Sequence, residues 1–211
     1  PTFLFDLYAD ESNDNLVTKI IFEHWDAKPN FRMAMFMDEL PVVYNKKILI
    51  VRDPRDELVS RLLYIVKPIK DQGMLTGDTL AEWLSVLKRK EESPGEVSLG
   101  HMITSLDRIF GTSFLDAFDR HMTSFSCFFR AKPRGLFAIR YEDVVDGKLD
   151  RLEEYLDFKI QGDVQHDTYI KQTKRSGGYG DWRRFFTQED VEKLAPMMQE
   201  YMSLIGYADW K

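Results

Sequence analysis

Cysteine is almost missing from this chain: Cys127 is the only one among 211 residues. No intrachain disulfide can form, and a reducing compartment such as the cytoplasm is the expectation. Cys127 stands in the apolar stretch Phe125-Ser126-Cys127-Phe128-Phe129, where a buried, inert thiol is predicted rather than a nucleophile. Long apolar runs are missing too. None approaches the roughly 18 residues that a membrane span requires, and no signal-peptide pattern is visible. Positive charge is not in excess either. A net charge of −6 argues against broad nucleic-acid binding but leaves room for a local anion pocket. No G-x-x-x-x-G-K-[ST] loop occurs, which weighs against an ATP-dependent kinase.

What is present is a globular composition, 44% hydrophobic and 13% aromatic, in a chain long enough for one good core. One domain over residues 1–211 is expected, and no internal repeat or low-complexity tract is found.

The most informative stretch runs from Lys46 to Ile65. Ile48-Leu49-Ile50-Val51 suits a short, buried parallel strand. Arg52-Asp53-Pro54-Arg55-Asp56 ends it abruptly, and apolar residues then recur at Leu58, Leu62, Leu63 and Val66 with helical spacing. Pro54 suits the first helical turn and Asp53 the N-cap. Arg52 is thereby predicted at the carboxyl end of a strand beside the positive end of a helix, a place that favours anions. Ser60 follows about two turns later, where its hydroxyl could serve the same anion. The alternative is that Arg52 pairs with Asp53 or Asp56 while Ser60 simply packs. Spacing alone leaves both open.

The pattern R-D-P-R-D-x-x-V-S after an apolar strand resembles the 3′-phosphate-binding segment of sulfotransferases that use 3′-phosphoadenosine 5′-phosphosulfate (PAPS). Arg52 and Ser60 match the family's arginine and serine that hold the 3′-phosphate. A second segment, Leu136–Arg140 followed by Tyr141-Glu142-Asp143, is similar to the family's later strand. There the tyrosine lies near the adenine and the acids tie the strand end to neighbouring backbone. The third segment is Lys171–Thr187, KQTKRSGGYGDWRRFFT. It groups cations around three glycines, as a phosphate monoester requires, although an exposed basic loop would look the same. It closely resembles the family motif Arg-Lys-Gly-x-x-Gly-Asp-Trp. Arg175 and Gly177 match the residues that close over the 3′-phosphate, and Ser176 replaces the usual lysine. Gly180, Asp181 and Trp182 match the motif's structural core.

The remaining elements are read from periodicity. Thr2–Tyr8 is predicted as a strand and Leu16–Trp25 as a helix, joined by a loop with no glycine, no lysine and three acids. The family's 5′-phosphosulfate loop belongs there, and the acids oppose a dianion, so no family role passes to residues 9–15. Phe31–Phe36 is a further strand candidate. No histidine follows it where the family's catalytic histidine is usual. Asp38 or Glu39 would serve as base, against the simpler reading of solvated loop acids. Amphipathic helices are predicted over Leu80–Lys90, His101–Phe110, Ser113–Arg130, Lys148–Phe158 and Gln188–Ile205, the last opened by a Thr187–Asp190 capping box. In the family the middle region builds the acceptor pocket. A Phe- and Met-rich lining would suit a hydrophobic small-molecule acceptor, though such spacing also describes core. His101 and His121 lack metal-ligand spacing, and no metal is expected.

The resemblance implies a single α/β domain with a central parallel sheet flanked by helices, related to P-loop nucleotide kinases. It implies a sulfotransferase with PAPS as sulfuryl donor and PAP as product. A catalytically weak, nucleotide- or protein-binding relative is the alternative, motivated by the acidic loop.

Overall fold

A computed structural model describes residues 6–9, 16–19, 45–64, 77–132, 134–160, 178–207 and 209–210. The chain divides into two compact units, Pro1–Asn45 and Lys46–Lys211. In the first, the described residues form an antiparallel hairpin of β1 (Asp6–Ala9) and β2 (Leu16–Lys19), registered Asp6 to Lys19 and Ala9 to Leu16. Leu16–Lys19 is therefore a strand, where periodicity predicted the start of a helix. Val17 and Thr18 are β-branched and prefer a pleated strand, and backbone pairing with β1 outweighs a weak helical pattern.

The second unit holds a mixed set of helices and a two-stranded parallel sheet. β3 (Lys47–Val51) and β4 (Leu136–Arg140) pair from Lys47 opposite Leu136 to Val51 opposite Arg140. The wider sheet expected from sequence is not among the described residues, where only these two strands pair in parallel. β3 is buried on one face only. Lys47, Leu49 and Val51 are buried, whereas Ile48 and Ile50 are exposed, Ile50 by 57%. The unbroken apolar run suggested a strand enclosed on both faces; the strand's period of two sets Ile48 and Ile50 on the other side.

Among the described residues there are eight helices, four between β3 and β4 and four after β4: α1 (Pro54–Tyr64), α2 (Gly77–Glu92), α3 (Leu99–Phe110), α4 (Phe114–Ala131), α5 (Tyr141–Val145), α6 (Asp150–Leu156), α7 (Trp182–Phe185) and α8 (Gln188–Ile205). Their apolar faces make the core. Leu58 and Leu62 of α1, Trp83 of α2, Met102 of α3, and Leu194, Met198 and Met202 of α8 have no exposed surface. Each such side chain contributes about 1.5–3 kcal/mol of burial. Most Phe and Met residues of α3 and α4 belong to this core: Phe114, Phe118 and Met122 are at most 2% exposed, while Phe110, Phe125 and Phe129 are half-buried. Cys127, predicted to be buried, is exposed. Helical geometry puts it on the stripe of Asp116, Arg120 and Thr123, one turn apart and opposite the core face.

Two polar junctions tie distant segments. The Asp190 carboxylate accepts from the backbone N–H groups of Leu99 at 2.9 Å and Gly100 at 3.0 Å, the first turn of α3. It also accepts from Thr187 N at 3.0 Å, and so caps two helices at once. Beside it the fully buried Lys90 donates to the carbonyls of Pro94, Val97 and Phe185. An ammonium has three protons, and all three are used. Burial pulls the Lys90 pKa down to about 8, against the opposing pull of Asp190. At the other end of the sheet, Tyr155 of α6 stacks on Phe137 at 5.0 Å and its hydroxyl lies 2.6 Å from the Gly135 carbonyl. The same oxygen accepts from Lys47 N at 2.8 Å, which pins the starts of β3 and β4 together.

Candidate functional site

The register that sets Val51 beside Arg140 also sets the next residues, Arg52 and Tyr141, side by side where the parallel strands end. The Arg52 guanidinium lies 4.9 Å from the Tyr141 ring centroid, within cation–π range. Its Nε is buried and has no hydrogen-bond partner among the described residues. A buried donor left unpaired costs about 1–3 kcal/mol; the indole Nε1 atoms of Trp83 and Trp210 are buried without a partner in the same way.

The nearby carboxylates are committed elsewhere. Asp53 caps α1, accepting from Arg55 N at 2.9 Å, and pairs with the Arg55 side chain at 2.7 and 2.8 Å. Arg55 is only 3% exposed; it lies 3.8 Å from the Trp182 ring and 5.0 Å from Trp210, and also donates to the Asp209 carbonyl. Asp56 accepts from Gly180 N at 2.6 Å and Trp182 N at 2.9 Å. Burial raises the Asp56 pKa, while those two backbone bonds and Arg52 oppose the rise. Neither acid pairs with Arg52, so the salt-bridge alternative for Arg52 is not what the fold builds.

Asp56 has a second consequence. It fastens the Gly180-Asp181-Trp182 segment to the start of α1. Gly180 has φ +83°, a conformation that costs other residues about 1–2 kcal/mol. Ser60 stands four residues beyond Asp56, hence on the same face of α1, and is half-buried. Glu142 accepts from the Tyr207 hydroxyl, a side chain and not the backbone that the resemblance implied. Burial, and then that carboxylate, push the Tyr207 pKa upward.

Arg52 and Tyr141 are thus side by side at one strand end, while Ser60 stands about two turns along α1 on the face of Asp56. Asp38, Glu39, Arg175, Ser176 and Gly177 lie outside the described residues, as does most of the 9–15 loop. Sequence reasoning missed the roles of Arg55, Asp56 and Trp210. The second Arg-Asp pair of R-D-P-R-D was a signal for the first two; Trp210 carries none. Among the described residues no group of three or more His, Cys, Asp or Glu side chains is placed to hold a metal ion. No described helix is long and apolar enough to cross a membrane.

Compared with known proteins, the chain matches no family model, no curated protein and no solved structure.

Proposed function

We infer that the chain is a PAPS-dependent sulfotransferase, moving a sulfuryl group to a hydroxyl or amine of a small-molecule acceptor in the cytoplasm. The observation that carries this reading is the buried, unpartnered Arg52 Nε beside Tyr141, at the carboxyl end of a parallel strand pair. Ligands of open α/β sheets bind at such strand ends. The wider fold is then a central parallel sheet flanked by helices on both faces, of P-loop nucleotide-kinase type, with β3 and β4 as two of its strands.

In this account Arg52 and Ser60 hold the 3′-phosphate, together with Arg175, Ser176 and Gly177. Gly177 is three residues before Gly180, which Asp56 anchors to α1. Tyr141 borders the adenosine. Arg52 neutralises the phosphate while Tyr141 keeps its guanidinium flat and in place. Asp38 or Glu39 accepts the proton of the acceptor hydroxyl as its oxygen bonds to sulfur; the donor's S–O bond breaks and PAP departs with the electron pair. Positioning and charge stabilisation supply the rate, by analogy with phosphoryl transfer.

One observation favours a second reading. Residues 9–15 offer three acids and no glycine or lysine to a phosphosulfate, which suits a domain that binds nucleotide or a protein partner without transfer. Incubation with PAPS and a panel of phenols, alcohols and amines separates the two: sulfated product supports the first, and PAP binding without product supports the second. Phosphate transfer from ATP would defeat both.

A further inference from the structure

A cleft of about 210 Å³ lies along β4 and reaches the strand end, where Val51 and Arg140, the chain neighbours of Arg52 and Tyr141, border it. Phe137, Ala138, Ile139 and Arg140 all border it, although consecutive strand residues face opposite sides. The cleft therefore follows the β4 backbone and takes in the end of β3 at Val51; among the described residues β4 pairs with β3 alone. Phe129 of α4, Leu204 of α8, Lys148 and Arg151 also border it.

The lining has two chemistries. Val51 and Ile139, each buried, join Phe129 in an apolar floor. Arg140, Lys148 and Arg151 bring three cations against one carboxylate, Asp143. Lys148 is answered by Asp146 at 2.7 Å. Arg140 is not answered by an acid: it donates to the Gly206 carbonyl at 2.8 Å and lies 4.9 Å from the Tyr207 ring. Arg151 lies 6.0 Å from the Phe137 ring centroid, and among the described residues no acid pairs with it. Two guanidiniums that form no ion pair with a described acid, Asp143 included, beside apolar residues suit a ligand with an acidic group and an apolar body. The volume is below the roughly 300–1,000 Å³ of pockets for drug-sized ligands, so that body is a single small ring system or short chain.

We propose that the β4 cleft binds a small amphipathic anion, an aryl or short aliphatic carboxylate or sulfonate, with its body on Val51, Ile139 and Phe129 and its acidic group at Arg140 and Arg151. Arg52, Ser60 and Tyr141 do not line the cleft, so the proposal stands on other residues and does not rest on the sulfotransferase reading.

The test is calorimetric titration of the full chain with 2-naphthalenesulfonate, alone and with saturating 3′-phosphoadenosine 5′-phosphate. Binding at millimolar or tighter concentration, unchanged by the nucleotide, is expected. Arg151→Glu should weaken it at least about tenfold, the least expected from losing a charge-assisted contact. Ala138→Trp, which fills the cleft, should abolish it, and serves if the Arg151 variant does not fold. No binding at about 10 mM, displacement by the nucleotide, or equal affinity in a folded variant would each overturn the proposal.

Discussion

Two charged clusters in this molecule are built on opposite principles. Around Lys90 and Asp190 every strong donor and acceptor is met: three carbonyls take the three ammonium protons, and one carboxylate caps two helices. At the ends of β3 and β4, Arg52 keeps a buried Nε with nothing to donate to. Burial alone does not tell a structural cation from a binding one; the number of unmet hydrogen bonds does. Arg55 makes the point at short range. Three residues from Arg52, it is saturated by Asp53, the Asp209 carbonyl and two indole rings, and it belongs with the structural group.

The comparison breaks most readily at the saturated junction. Asp190→Ala uncaps α3 and α8 together and should cost about 3 kcal/mol, from two helix caps and buried amides left unmet; urea unfolding measures it. Lys90 adds a pH signature. Its folded pKa, about 8, lies below the ordinary lysine value of 10.5. Between those values the unfolded chain binds more protons at this site, so its contribution to stability rises with pH across that window. Below about pH 8 both states are protonated and the burial penalty stands in full. The difference in unfolding free energy between wild type and Lys90→Met should therefore grow in favour of wild type from pH 8 to 10.5. A flat difference would mean the ammonium is held without penalty.

Much of this was legible in sequence where the cause is local. Asp53 before Pro54, the Thr187–Asp190 capping box and the strands at 47–51 and 136–140 each follow from neighbours a few residues apart. The reach of Asp190 to Leu99, across 91 positions, has no local signature. The exposure of Ile48 and Ile50 depends on which face the helices cover, and Cys127 on the rotation of α4 against the core. Leu16–Lys19 was misread because four residues do not separate a period of 2 from one of 3.6 when a partner strand decides the outcome. At the site, Arg52, Ser60 and Tyr141 were found by motif. That Asp56 links two of those motifs was not, since its partners lie at 180 and 182.

Asp56→Ala sharpens the comparison from the other side. It strands the Gly180 and Trp182 amides and should cost about 2 kcal/mol of stability, while also loosening the segment next to Gly177 and weakening nucleotide binding. Urea unfolding and nucleotide titration of the same variant check the two effects. Gly180→Ala should cost less, about 1 kcal/mol, from its left-handed backbone, read by the same unfolding curve.

Arg52 decides the matter. Wild type and Arg52→Ala should be titrated calorimetrically with 3′-phosphoadenosine 5′-phosphate, and their urea midpoints compared. The account predicts micromolar binding by wild type and a loss of about 10- to 150-fold in the variant, the equivalent of about 1.5–3 kcal/mol. Stability should fall by no more than about 1 kcal/mol, because among the described residues the side chain makes a cation–π contact with Tyr141 and a charge interaction with Asp56 but no hydrogen bond through Nε. Equal affinity in both proteins, or a variant that loses stability while the nucleotide binds neither, would contradict it: Arg52 would then be scaffold like Arg55, and the strand end no anion site.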